Sequence, residues 1–173
     1  LGEANVLQGL GNLSRREKNL TDAQEKFEAA MKIYQAIGDR LGVAGSLIYM
    51  GRTARDAENH AQAVLHFAEA VVIYRMIGSR FGEMLSLDDQ GNAFQQLDLQ
   101  DAARGAWWQA RALAHAIGNS TAQRLDNLFA QLAQQLGAEA WPPLEAQLAI
   151  HAEAWRQAGV STVQQMREGS DAI

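Results

Sequence analysis

The sequence predicts an all-α solenoid of antiparallel helix pairs, and three observations predict it. The chain repeats itself every 40 residues, apolar residues within each block recur at helical spacing, and glycine beside a capping residue closes each block. Blocks Leu1–Arg40, Leu41–Arg80 and Phe81–Ser120 align without a gap. The first two share Gly2/Gly42, Leu7/Leu47, Gly11/Gly51, Ala23/Ala63, Phe27/Phe67, Ala30/Ala70, Tyr34/Tyr74 and Gly38/Gly78, and the third keeps Gly82, Leu87, Gly91, Ala103, Ala110 and Gly118. A fixed period of this length means that each unit buries its apolar face only against its neighbours.

In block one, Ala4, Leu7, Leu10 and Gly11 mark one face of a first helix, and Ala23, Phe27, Ala30, Ile33, Tyr34 and Ile37 one face of a second. Each second helix ends in Ile-Gly, at Ile37-Gly38, Ile77-Gly78 and Ile117-Gly118, where glycine takes the left-handed conformation that closes a helix. Asp39, Ser79 and Asn119 follow as N-caps of the next helix, so stop and start signals abut. Inside the blocks, Thr21 with Gln24 reads as a capping box opening the second helix, and Asn59 with Gln62 as its counterpart. Gly11, Gly51 and Gly91 stand in register within first helices, where glycine costs about 1 kcal/mol against alanine, so close packing is expected there. Phe27, Phe67 and Trp107 are the large side chains expected to fill the space between pairs.

Residues 121–160 read as a degenerate fourth pair that caps the stack. Thr121–Leu136 keeps helical periodicity, Gln131 replaces the glycine, and Trp141-Pro142-Pro143 is expected to open the last helix. Gly159 falls one residue out of register with the corner glycines, and Ser161–Ile173 is expected to be a short helix or a tail. The domain expected is therefore 1–160, with repeats 1–40, 41–80, 81–120 and 121–160, followed by 161–173.

Composition narrows the function classes. An apolar content of 47% suffices for one domain's core, and the absence of cysteine removes disulfides and thiolate metal sites and fits a reducing compartment. No apolar run approaches the roughly 20 residues of a membrane span, and no signal-peptide pattern opens the chain, so no membrane partner and a cytoplasmic location are expected. The sequons at Asn12, Asn19 and Asn119 are read as chance. The chain opens at Leu1 without an initiator Met, which reads as a piece of something longer or a removed N-terminus. A net charge of −5 with no basic stripe argues against direct nucleic-acid binding. The charge is uneven: six acids face six bases in block one, three face four in block two, five face two in block three, and six face three beyond it.

Catalytic and metal signatures are missing. His60, His66, His115 and His151 form no HExxH pattern and read as solvated or packing side chains. Gly9-Leu10-Gly11 lacks the later glycine and preceding strand of a phosphate loop. Asp88 and Asp89 diverge by about 100° around a helix, so they read as a solvated or partner-facing acidic patch. Trp107 reads as core, whereas Trp108 is either packed on an adjacent helix or an exposed anchor. No enzyme, cofactor or metal is expected.

A leucine, a glycine four residues on, then Ala, Phe and Ala at offsets of 12, 16 and 19 from that glycine resembles the tetratricopeptide (TPR) skeleton. It stands here as Leu7/Gly11/Ala23/Phe27/Ala30, Leu47/Gly51/Ala63/Phe67/Ala70 and Leu87/Gly91/Ala103/Trp107/Ala110. The 40-residue period with Ile-Gly-Asp-Arg at the corner is similar to repeats of spindle-orientation adaptors and large bacterial transcriptional regulators. The resemblance implies a right-handed α-solenoid, TPR-like, with three clear repeats and a degenerate fourth. It also implies first helices lining a concave groove, and asparagines one position past the glycine gripping a peptide backbone through paired donor and acceptor.

Those positions are Asn12, Arg52 and Asn92, and arginine interrupts the series. Around them the same face is expected to carry Asn5, Gln8, Arg15 and Arg16, then Ile48, Tyr49 and Arg55, then Asp88, Asp89 and Gln95. The expected function is non-enzymatic binding of a peptide or protein segment in this groove, with an acidic stretch of the partner over Arg15, Arg16, Arg52 and Arg55. Reversing Arg52 and Arg55 is expected to spare stability. The alternative is a sensory or regulatory segment of a larger bacterial transcriptional or signalling regulator, which flanking sequence would reveal.

Overall fold

The computed structural model describes residues 1–170; residues 171–173, the end of the segment expected as a short helix or tail, lie outside the described residues. The order is α1 (Gly2–Arg16), α2 (Leu20–Ala36), α3 (Arg40–Asp56), α4 (His60–Met76), α5 (Arg80–Gln96), α6 (Gln100–Ala116) and α7 (Thr121–Ser170). Each helix packs on the next, and α7 also reaches back to α4. The result is an all-helical stack of antiparallel pairs.

The corners explain its regularity. At the first, the Gly38 N–H donates to Gln35 O and the Asp39 N–H to Tyr34 O, at 3.2 and 2.8 Å, closing α2 with a Schellman pair of bonds. Gly38 supplies the positive φ of 72° that this needs. Asp39 then turns its carboxylate to the Gly42 N–H at 3.0 Å and caps α3. One residue thus ends one helix and begins the next. Ser79 repeats the arrangement at α5, accepting from the Gly82 N–H at 3.3 Å.

The corners inside the blocks use the same bonds without glycine. Lys18, Glu58 and Asp98 hold φ of 64°, 60° and 58°. The caps that follow are Asn19, accepting from the Asp22 N–H, and Asn59, accepting from the Gln62 N–H. The capping box expected at Thr21/Gln24 is therefore displaced: Asn19 caps α2, and the Gln24 amide donates to Glu28 instead. Asn59 caps α4 as expected, but the Gln62 amide turns to His66 at 2.9 Å.

The register glycines give the close approach they predict. A Cβ on Gly11 would stand 2.8 Å from the Phe27 ring, and one on Gly51 would stand 2.6 Å from the Phe67 ring. Gly91 lies against the Trp107 indole in the same way. Phe27 and Phe67 are fully buried and Trp107 nearly so. A second tight pair sits at the corners, where Gly42 and Gly82 lie on the rings of Tyr34 and Tyr74. In the third corner both partners become alanine, Ala114 and Ala122, which are again buried.

The C-terminal segment departs from expectation. α7 is broken at Gly137 (φ 81°, ψ 173°) into arms 121–136 and 138–170. The second arm begins directly after Gly137, so Trp141-Pro142-Pro143 lies within it and does not open it. Helix continues through 161–170, so no separate short helix or tail starts at Ser161. Gly159 is no corner glycine either. It sits mid-helix, where a Cβ would overlap Ala102 and approach the Phe94 ring to 2.9 Å. This arm lies in the furrow between α4 and α6, and Val160 and Val163 join the core of Val64, Phe94, Ala102 and Ala106.

Candidate functional site

The side chains one position past the register glycines of α1, α3 and α5 share one side of the first helices. Asn12, Arg52 and Asn92 recur on it at the same repeat position and are half-buried, so each keeps part of its polar head exposed. At its N-terminal end a shallow cleft of about 310 Å³ is lined by Asn5, Gln8, Tyr34, Tyr49 and Tyr74, among others. The polar groups there are already organised. The Tyr34 hydroxyl donates to Asn5 Oδ1 at 2.6 Å, and Gln8 Nε2 donates to Ser46 Oγ at 2.9 Å. Tyr49 stacks on Phe27 with ring centroids 5.1 Å apart and planes 9° off parallel.

The charges on this face are paired between repeats, which spacing alone does not reveal. Arg15 Nη1 meets Asp56 at 2.6 Å. Arg52 Nε and Arg55 Nη1 converge on the two oxygens of Asp89, at 2.7 and 2.8 Å. Asp88 pairs with Arg124 of α7. The acidic patch expected at Asp88-Asp89 is therefore no solvated patch: Asp89 is buried at 8% exposure beneath two arginines. Burial pushes the Asp88 carboxyl above its ordinary value against the opposing pull of Arg124. Of the basic residues expected on the face, Arg16 is the exposed one, and Asn12 receives a long contact of 3.5 Å from Arg15. Gln95 is exposed at the C-terminal end of α5.

Ile48 is a correction. It is 5% exposed and clusters with Ala44, Leu47, Ala70 and Tyr74, because its side of α3 turns into the packing against α4. Arg52 also differs in kind from the asparagines it interrupts, since its guanidinium bridges to α5.

Trp108 and His66, also singled out by sequence, fall into the core or its edges, whereas His115 and His151 are exposed. Trp108 packs edge-on against Phe129, centroids 5.3 Å apart, with Arg111 over its ring, so it is a packed side chain of α6. His66 is buried beside Gln62, and burial draws its pKa below the usual value. Among the described residues no cluster of His, Cys, Asp and Glu could hold a metal ion, and no helix is long and apolar enough to cross a membrane.

Sequence reasoning missed Arg156. It is 1% exposed on the second arm of α7, donating to Gln90 Oε1 at 3.1 Å and to Glu153 at 2.7 Å. Gln90 in turn donates to Val64 O at 3.2 Å, so a buried polar chain ties α7 to α5 and α4. Arg75 of α4 joins from the surface through Glu83, Gln109 and Glu153. Burial would raise the Glu153 carboxyl, but the hydrogen bonds from Arg156, Arg75 and Gln157 bring it down to about 2. A lone arginine on a helix with no periodic partner carries no sequence signal of burial.

Residues 2–76 match the profile of the family described as tetratricopeptide repeat. That match covers the first two blocks, and with the paired helices and the recurring glycine–aromatic contacts it supports a tetratricopeptide-like repeat architecture. Such repeats are in general protein–protein interaction modules. No curated protein matches the chain.

Proposed function

We propose that this chain is a non-enzymatic interaction module that binds an extended peptide or protein segment along the face of α1, α3 and α5. The observation that carries this reading is the register of Asn12, Arg52 and Asn92, half-exposed at one position of successive repeats beside the cleft at Asn5, Gln8 and Tyr49. A primary amide offers donor and acceptor together, which matches the alternation of N–H and C=O along an extended backbone. The partner carries an acidic stretch over the N-terminal end, where Arg16 is exposed and Arg15 is shared with Asp56. Arg52 and Arg55 contribute less charge than their number suggests, because Asp89 already neutralises part of it.

The test is selection of peptides from a random library against the full chain, followed by affinity measurement on Asn12→Ala/Asn92→Ala. Both side chains are outside the core, so the double variant should melt as the wild type does. Loss of the peptides' affinity by about tenfold or more, roughly 1.4 kcal/mol, supports the reading. Unchanged affinity for every selected peptide overturns it.

A further inference from the structure

The second arm of α7 demonstrates how this stack receives an additional helix. It lies between α4 and α6 above the Gln90/Phe94 side of α5, with Gly159 close against Ala102 and Phe94 and Arg156 bonded to Gln90. Forty residues towards the N-terminus the same furrow recurs between α2 and α4, above Met50 and Ala54 of α3, as a cleft of about 540 Å³. No segment of the described residues crosses it.

The two furrows share a floor plan but not a chemistry. Met50 and Ala54 stand where Gln90 and Phe94 do, so the polar partner of Arg156 is replaced by an apolar side chain. The walls change from Leu65 and Ala68 to Glu25 and Glu28, and from Ala102 and Ala106 to Gln62 and His66. No lysine or arginine lines this cleft. The furrow is also continuous with the interface already made. Gln62 borders both it and a neighbouring cleft of about 370 Å³ whose far wall is Gln164 and Arg167, at the end of the α7 arm.

We propose that the α2/α4 furrow docks an amphipathic α-helix of a partner protein, with a small residue where it crosses Ala54 and Gln62 and lysine or arginine facing Glu25 and Glu28. The small residue follows from the closeness the α7 arm attains at Gly159. The basic flank follows from the exchange of apolar walls for carboxylates, which disfavours a copy of the apolar arm and favours a cationic one. The helix lies beside the C-terminal end of α7, extending the row that α7 begins. This surface is separate from the Asn12/Asn92 face, and its occupant is helical rather than extended.

The experiment uses the full chain and a phage library of helical peptides randomised on one face. Selected helices should carry glycine or alanine at the centre and basic residues on one flank. Their affinity should fall about tenfold or more on Glu25→Lys/Glu28→Lys, and also on Thr21→Trp, which places a ring in the furrow from an exposed position. Asn12→Ala/Asn92→Ala should leave it unchanged, so failure here is distinguishable from failure of the peptide-groove reading. Selected helices insensitive to both furrow variants, or a library yielding no helix, overturn the proposal. Dimerisation of the chain alone that Thr21→Trp abolishes overturns it too, because the occupant would then be a second copy.

Discussion

Gly51 lies against the ring of Phe67, so close that a Cβ would stand 2.6 Å from Cε1, and the same contact recurs between Gly11 and Phe27. The glycine accepts its helix penalty so that an aromatic side chain can fill the space a Cβ would take. Gly51→Leu should cost roughly 1–3 kcal/mol or more by overpacking, and Phe67→Ala about 3–5 kcal/mol by leaving a cavity. Urea unfolding measures both. Wild-type stability for Gly51→Leu would contradict the packing.

The corners inside the blocks predict a gain. Glu58 holds a φ of 60°, a conformation that costs an L-residue roughly 1–2 kcal/mol, while glycine brings back roughly half of that as backbone entropy. Glu58→Gly should therefore stabilise the chain by about 0.5–1 kcal/mol, and Gly78→Ala should destabilise it by a similar amount. Thermal melts of the two variants moving in the same direction would refute this.

Pairing across repeats changes what charge reversal should do. Replacing Arg52 and Arg55 by Glu sets two carboxylates against buried Asp89, so the expectation that stability is spared does not hold. The double variant should lose roughly 1–3 kcal/mol, with the partial exposure of both arginines limiting the cost. Adding Asp89→Asn should restore part of the loss. A triple variant no more stable than the double would show that the pairs contribute little.

Much of this architecture is legible in one sequence because the repeat reports it three times. Gly11, Gly51 and Gly91 with their aromatic partners stand out by register, and Gly38, Gly78 and Gly118 mark corners because left-handed backbone favours glycine. The same corner is illegible at Lys18, Glu58 and Asp98, whose side chains give no sign of positive φ. Ion pairs such as Arg52 with Asp89 depend on how one repeat rotates onto the next, which spacing does not encode. The docking of α7 is hidden for a different reason. Arg156 reads as surface and Gly159 as a corner, yet both are buried where the arm meets α5 and α6.

The α7 contact has a pH signature. Glu153 titrates at about 2 in the fold against an ordinary 4.5, so its stabilisation is complete above pH 4.5 and is lost as pH falls through about 2. Wild type should lose its stability advantage over Glu153→Gln across that window. A difference between the two that stays constant with pH would contradict the bonds from Arg156 and Arg75.

The central claim, recognition along the face of α1, α3 and α5, is tested most directly by mapping backbone amide shifts of the labelled chain during titration with a library-selected extended peptide. The account predicts perturbations that follow Asn5, Gln8, Asn12, Tyr49, Arg52 and Asn92 across three repeats. Shifts confined to α2, α4 and α6, with those six residues unmoved at saturation, would contradict it.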